Sequence, residues 1–330
     1  MSASAGTPQA KPWLALVRWF DSWAGNDEPA PEGEPRVDWL RCLPFIAVHV
    51  ACISVFWVGA SWTAVLVAIF LYWARMFAIT AFYHRYFSHR AFKTSRVAQF
   101  LFAVAGNTAV QRGPLWWAAH HREHHQNADT NQDPHSPALR GFWWSHVGWF
   151  TAKHNFVTRL KRVPDLARFP ELCFLDRFDV LVPVLASGVL YAIGELFAAI
   201  APGLGTNGPQ LLVWGVISTV VLFHGTFTIN SLSHVFGKRR FETADTSRNN
   251  PWLAAITLGE GWHNNHHHYP ASARQGFYRG EFDPAYSALV VLRSLGVVWD
   301  LKPVPAEVLN RRRLVHPRVN VVARHPAAKL

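Results

Sequence analysis

Eighteen histidines in 330 residues, most of them in tight groups, are the feature of this sequence that could do chemistry. Four groups stand out: His84-Arg-Tyr-Phe-Ser-His89, His121-Arg-Glu-His124-His125, Asn230-Ser-Leu-Ser-His234 and His263-Asn-Asn-His266-His267. Positions i, i+3 and i+4 share one helix face. So His121, His124 and His125 are expected to aim three imidazoles at one point, and so are His263, His266 and His267. Asn230 and His234 are one turn apart. His84 and His89 sit about 140° apart on a regular helix, so both face one metal only if the helix ends near His84. Nine such histidines exceed the coordination of one ion and suit two. Imidazole fits Zn, Cu, Fe and Ni.

These groups need elements that bring them together. Half of the residues are hydrophobic, 16 are tryptophans, and only 16% are charged, against about 25% in soluble domains. The apolar residues fall into blocks. Residues 43–82 carry one full charge, Arg75, and are too long for one span, since about 20 residues cross a bilayer. We read a hairpin of 43–60 and 62–83 that turns near Ser61. The block 180–233 is broken by a Pro- and Gly-rich stretch at 201–209 into a second hairpin. The run 100–110 is too short to span and reads as a membrane-surface or buried helix. The expected fold is therefore all-α and integral to the membrane, with four transmembrane helices and a helical cap. Its segments are 1–40, hairpin 41–83, the two-box segment 84–178, hairpin 179–233, and the third-box segment 234–330. Within 1–40, residues 13–20 read as lying flat at an interface and 24–35 as a linker. No signal peptide is expected.

The net charge of +11 follows the same division. Both hairpin turns lack Lys and Arg, while residues 84–179 hold thirteen. The positive-inside rule then places the middle segment, both tails and the histidines in the cytosol. No nucleic-acid motif accompanies the charge, so no nucleic-acid partner is expected. Cys42, Cys52 and Cys173 form no C-x-x-C pair and no thiolate metal set.

The motifs also carry a resemblance. The histidine groups, together with Arg90-Ala-Phe-Lys93, Asp133-Pro-His-Ser136, Gly141-Phe-Trp-Trp-Ser-His-Val-Gly-Trp149 and Leu258-Gly-Glu-Gly-Trp262, occur in the order seen in membrane-bound fatty-acyl desaturases. The sequence resembles the stearoyl-CoA (delta-9) type over roughly residues 79–270. That resemblance implies a cytosolic di-iron centre with His84, His89, His121, His124, His125, His234, His263, His266 and His267 as ligands, and Asn230 acting through a water. It implies an acyl tunnel, O2 as co-substrate, and insertion of a cis double bond into a long acyl chain, carried by CoA. His120, His135, His146 and His268 match no ligand position. His49 and His224, within spans, read as satisfied polar contacts.

Ligand histidines need partners on their other nitrogen. Glu123, Asp129, Asp133 and Glu260 lie inside or beside the boxes and are the candidates. Trp116, Trp117, Trp143, Trp144, Trp149 and Trp262 are candidates for the tunnel walls, with a membrane-interface belt as the alternative. Lys153, Arg159, Lys161 and Arg162 are candidates for the substrate's charged headgroup or, equally, a patch contacting anionic lipid. Trp73 and Tyr72 lie eleven and twelve residues before His84, roughly 16 and 18 Å down a helix. Regular geometry puts Trp73 on the His84 face, whereas the resemblance gives Tyr72 the closed end of the tunnel. Arg75, between them and the histidines, is deep enough to be functional, as a substrate-binding residue, with snorkelling or a carbonyl contact an equal reading.

One position departs from the stearoyl-CoA type: a basic residue two before the middle box is replaced by Ala119. This weakens the case for CoA against a lipid carrier. No G-x-G-x-x-G follows a strand and no haem-binding domain follows His267, so electrons are expected from a separate ferredoxin, cytochrome b5 or reductase-type protein. The rival readings are a di-iron hydroxylase of fatty acids, sterols or alkanes, and a metal transporter or sensor.

Overall fold

The computed structural model describes residues 12–24 and 34–311. Residues 1–11 and 312–330, at the outer ends of the two tails, and most of the 24–35 linker lie outside the described residues. Four helices are long and apolar enough to cross a membrane: α1 Trp39–Val58, α2 Trp62–Ser88, α5 Leu181–Ile200 and α6 Pro202–His234. Between and after them come α3 Arg96–Asn107, α4 Pro114–Asn127, α7 His263–His268 and α8 Pro284–Ser294. The strands Lys93–Thr94 and Val298–Trp299 pair antiparallel, Lys93 opposite Trp299.

The spans start where side chains cap them. Asp38 accepts from Arg41 N, Ser61 from Ala64 N and, where the α-helical part of α6 begins at Gly208, Asn207 from Gln210 N, each meeting a backbone donor the helix cannot. The turn after α1 uses Gly59 at φ +69°. Helices α2 and α6 bury 44% and 33% of their apolar windows, but α1 and α5 only 11% and 6%. The first pair therefore forms the centre and the second flanks it. The outward residues are large and apolar: Phe56 is 84% exposed and Trp62 83%. Surfaces of this size are unsuited to water and suited to acyl chains, so the chain is a membrane protein.

Arg75 lies in this apolar centre with its guanidinium fully engaged. It donates to Thr219 Oγ1 at 2.6 Å, Ser218 Oγ at 2.7 Å and Leu71 O at 3.0 Å. The charge thus ties α2 to α6 by hydroxyls, as a buried cation must be tied.

The second span does not end at residue 83. From Ala78 to Ser88 it continues as a π-helix, and the π-type bonding runs on to His89 N→His84 O at 3.2 Å. A π-helix bonds i to i+5. Residues five apart, His84 and His89, therefore share a face, and their ring centroids lie 4.9 Å apart. The expectation that the helix must stop at His84 is corrected by this change of period. The segment is buried throughout and packs on α3 and α4. Gly106 of α3 makes that approach possible, since a Cβ there would meet the Tyr83 ring at 1.9 Å.

Helix α3 is the short apolar run of the sequence. Gln99, Phe102, Ala103 and Gly106 face inward, while Val97 and Leu101 stay 71% and 56% exposed.

Candidate metal centre

Helix α4 and the short α7 carry the second and third histidine groups. Six residues make too short a helix to hold itself. Asn264 and Asn265, both 0% exposed, pin α7 from inside. Asn264 Oδ1 accepts from the Arg240 and Phe241 amides at 2.7 Å, and Asn265 donates to Glu281 at 2.8 Å. The asparagines between the histidines therefore fix where the imidazoles point.

The nine histidines converge, but not box by box. His84, His89, His121, His125 and His266 form one group, and His124, His234, His263 and His267 the other. In each group the ligand atoms lie within 4.8 Å of one another. Each H-x-x-H-H box is divided: His121 and His125 face one group and His124 the other, while His263 and His267 face one and His266 the other. The expectation of three imidazoles on one point is replaced by a two-to-one split. An i, i+3, i+4 face is wide enough to address two sites, and the boxes face each other across both.

The inward atoms are Nε2. His89 and His121 approach to 2.7 Å, His125 and His266 to 2.9 Å, His84 and His266 to 3.0 Å. In the second group His234 and His263 lie 3.1 Å apart, and His124 and His267 3.4 Å. Outer nitrogens meet carboxylates. Glu260 Oε2 is 2.5 Å from His84 Nδ1, Asp245 Oδ2 2.8 Å from His267 Nδ1, and Asp133 Oδ1 3.1 Å from His124 Nδ1. Asp129 lies 3.6 Å from His234 Nδ1, with Thr246 Oγ1 at 3.3 Å. A carboxylate on Nδ1 fixes the proton there and leaves the Nε2 lone pair facing inward. Converging lone pairs with no proton between them repel unless a cation sits among them, so the donor set fits two metal ions.

Electrostatics agrees with this arrangement. Burial, with the neighbouring imidazoles adding to it, holds His89, His121, His125, His263 and His266 well below the ordinary imidazole value. Burial also takes His267 down to about 4 against the pull of Asp245. His124 goes the other way: burial lowers it, but Asp133, Asp245 and Asp129 together raise it more. Asp133 and Asp245 are held below the usual carboxylate range by these histidines although burial opposes it.

The remaining site candidates separate. Asn230 lines a small cavity of about 40 Å³ beside His84, His121, His124 and His263, with Trp117 and Glu260. Trp117 stacks on His121 with centroids 5.0 Å apart. Glu123 is not on a histidine; its carboxylate pairs with Arg159 and Arg162. Trp149 stacks on Trp116 at 5.7 Å, and Trp262 donates to Phe282 O at 2.9 Å; neither lines that cavity. Lys153 is exposed. Tyr72 donates to Ile256 O at 2.8 Å, while Trp73 is 40% exposed. Gly225 of α6 admits the tyrosine, since a Cβ there would lie 2.8 Å from Tyr72 Oη and 3.3 Å from Met76 Cε. Met76 itself lines the cavity. His268 bonds Val308 O at 3.0 Å, away from both groups.

Sequence reasoning missed Asp245 and Gln275. Gln275 Nε2 lies 3.1 Å from Glu260 Oε2 and 3.2 Å from His84 Nδ1. Between His234 and Glu260 the only acids are Glu242 and Asp245, so the search could have been narrowed to two. Only burial separates them: Glu242 is exposed and Asp245 buried. Nothing in the sequence pointed to Gln275.

The sequence matches the family model for fatty acid desaturases over residues 60–278. The chain belongs to the fatty acid desaturase family. The desaturase is 34% identical over 279 residues to the sn-1 stearoyl-lipid 9-desaturase of Anabaena variabilis, covering 83% of this chain and 97% of that one. It is 36% identical to the sn-2 palmitoyl-lipid 9-desaturase of Nostoc sp. (strain 36), covering 81% and 92%. To the delta-9 acyl-lipid desaturase 1 of Arabidopsis thaliana it is 37% identical, covering 84% and 87%. The desaturase is thus an oxidoreductase acting on fatty acyl chains.

Proposed function

We propose that the desaturase inserts a cis double bond at carbon 9 of a long saturated acyl chain carried on a membrane lipid. The observation that carries this reading is the pair of converging imidazole sets beside a cavity between α2 and α6. Two iron ions are the proposed occupants, held by His84, His89, His121, His125 and His266 on one side and His124, His234, His263 and His267 on the other, with Asn230 acting through a water on one of them. Iron with O2 and two external electrons supplies an oxidant strong enough for an unactivated C–H bond. A separate ferredoxin, cytochrome b5 or reductase-type protein brings the electrons.

The chain's own residues bind and orient. Met76, Ile79, Thr80, Thr226 and Ile229 line the cavity below the histidines and guide the acyl tail, with Tyr72 closing its far end. Trp117 shields His121 from water. The reading of a lipid carrier rests on Ala119 and on the three relatives named above, whose names specify lipid-bound chains; two further relatives, both from Anemone leveillei and 34% identical, are named for acyl-CoA. Acyl-CoA is the second reading, favoured by the bases at 153–162. However, Arg159 and Arg162 are already engaged by Glu123. The proposed arrangement is two hairpins with the histidine segments as a cytosolic cap and both tails cytosolic, supported by the Lys and Arg distribution.

The test is expression in a host lacking unsaturated lipids, with any new double bond located by mass spectrometry. A monoene at carbon 9 supports the reading, and a product heavier by one oxygen replaces it with a hydroxylase. Bound metal without O2-dependent lipid change replaces it with a transporter or sensor. Supplying purified enzyme with stearoyl-lipid and with stearoyl-CoA decides the carrier.

A further inference from the structure

A second cavity, of about 600 Å³, lies apart from the histidines, between the start of α3, residues 165–169 and the strand that ends at Trp299. Five basic side chains and two acidic ones line it, with Tyr86, Phe92, Phe169 and Trp299 as walls. We infer that this cleft binds the phosphate headgroup of an anionic membrane lipid.

Three independent observations lead there. The first is an unmet donor. Gln99 is 3% exposed and lines the cleft; its Oε1 accepts from Tyr86 Oη at 2.9 Å, and its Nε2 has no partner. Buried amide N–H groups without an acceptor are rare and costly, so an acceptor oxygen belongs in front of it. The second is uncommitted positive charge. Lys93 pairs with Asp300 at 2.9 Å, Arg90 with Asp165 at 2.8 Å and Arg96 with Glu171 at 2.7 Å. Arg168 and Lys302 are exposed, and among the described residues neither meets a carboxylate. The start of α3, capped by Ser95, opens between Thr94 and Arg96 on the same wall, and a helix N-terminus favours anions.

The third observation selects the occupant. Phe100, one helical turn on from the cleft residue Arg96, is 38% exposed and Val97 beside it 71%, so the wall of the cleft continues along α3 as an apolar, exposed strip, as in a helix lying in the membrane interface. A phosphate between Arg168 and Lys302, with the enclosed Gln99 Nε2 turned out to meet it, would leave its glycerol against Phe169 and Trp299 and its tails along α3. A soluble phosphate would use the same polar atoms without the apolar face. The site is independent of the reaction proposed above.

The test uses the full-length desaturase in non-ionic detergent, titrated calorimetrically with dihexanoyl phosphatidylglycerol, dihexanoyl phosphatidylcholine and inorganic phosphate. Phosphatidylglycerol should bind one to one and more tightly than phosphatidylcholine. The double change Arg168→Ala with Lys302→Ala should weaken it about tenfold, as loss of charge-assisted bonds does. Both residues are exposed, so folding is preserved, and Arg168→Lys with Lys302→Arg should restore binding. Gln99→Leu should weaken it too, with a single cooperative thermal transition, lowered by the loss of the Tyr86 hydrogen bond, showing that the fold is kept. Phosphate binding as tightly as phosphatidylglycerol overturns the lipid assignment in favour of a soluble phosphate compound. Absent one-to-one binding, or equal affinity in the double variant, removes the site.

Discussion

Nδ1 of His267 donates a 2.8 Å hydrogen bond to Oδ2 of Asp245, which turns Nε2 of that histidine toward His124. Asp245 belongs to no histidine box, yet it stands to His267 as Glu260 stands to His84. Losing such a partner typically lowers metal affinity roughly 10- to 100-fold. Asp245→Asn should show this as a lower iron content per chain after dialysis against a chelator. Glu123→Gln, which releases only Arg159 and Arg162, should keep its iron. Equal retention in both variants would show that Asp245 does not hold the site.

The split of each box predicts which ion a given histidine serves. His121→Ala and His125→Ala should each perturb the five-histidine group, and His124→Ala the four-histidine group. His266→Ala should behave like the first two and His263→Ala like the third. Iron quantitation with Mössbauer spectra should resolve two distinct patterns. One shared pattern for His121→Ala and His124→Ala would mean that each box serves a single ion after all.

The metal-free protein should lose stability as it is acidified. Burial keeps His267 down to about 4 when folded, against 6.5 as the ordinary value, and His121, His125 and His263 are likewise lowered. Between those limits the unfolded chain binds more protons, so stability rises with pH. The contribution is complete above about 6.5 and disappears as pH falls toward 4. His124, which is raised, opposes this but is one residue against several. Thermal midpoints of chelator-stripped enzyme should therefore fall from about pH 7.5 to about pH 5. Midpoints that climb on acidification would contradict the neutral-imidazole arrangement.

Chain length should respond to Tyr72 rather than Trp73. Tyr72 reaches Ile256 O past Gly225, whereas Trp73 is 40% exposed on the outside. Tyr72→Ala should admit longer saturated chains, leaving the double bond at the same distance from the carboxyl end. Trp73→Ala should leave the profile unchanged. A shift caused by Trp73→Ala alone, read by gas chromatography of the products, would reverse the assignment.

Arg75 should matter for stability. Its guanidinium is spent on Thr219 and Ser218, and hydrogen bonds to a buried charge contribute about 1.5–3 kcal/mol each. Arg75→Met should keep the chain-length profile and shift the thermal midpoint in detergent, while Ser218→Ala with Thr219→Val should lower it. A changed product profile in Arg75→Met would instead place the arginine on the substrate.

Much of this was legible in the residues. Long apolar runs broken at Ser61 and at 201–209 define four spans, because a bilayer demands about 20 apolar residues in a row. Histidine spacing announces a metal site, because imidazoles one turn apart face one way. What the sequence could not settle is phase and distance. A π-helix has no side-chain period visible in a single stretch of residues 78–88; it was the packing of α3 and α4 that went with it, and with it His89 joined His84. Which histidine of a box serves which group depends on where the opposing box lies. Asp245 and Gln275 are polar residues among many until the chain folds them against His267, His84 and Glu260. Spacing along the chain fixes direction only within one helix, whereas a site built from α2, α4, α6 and α7 is decided by how those helices pack.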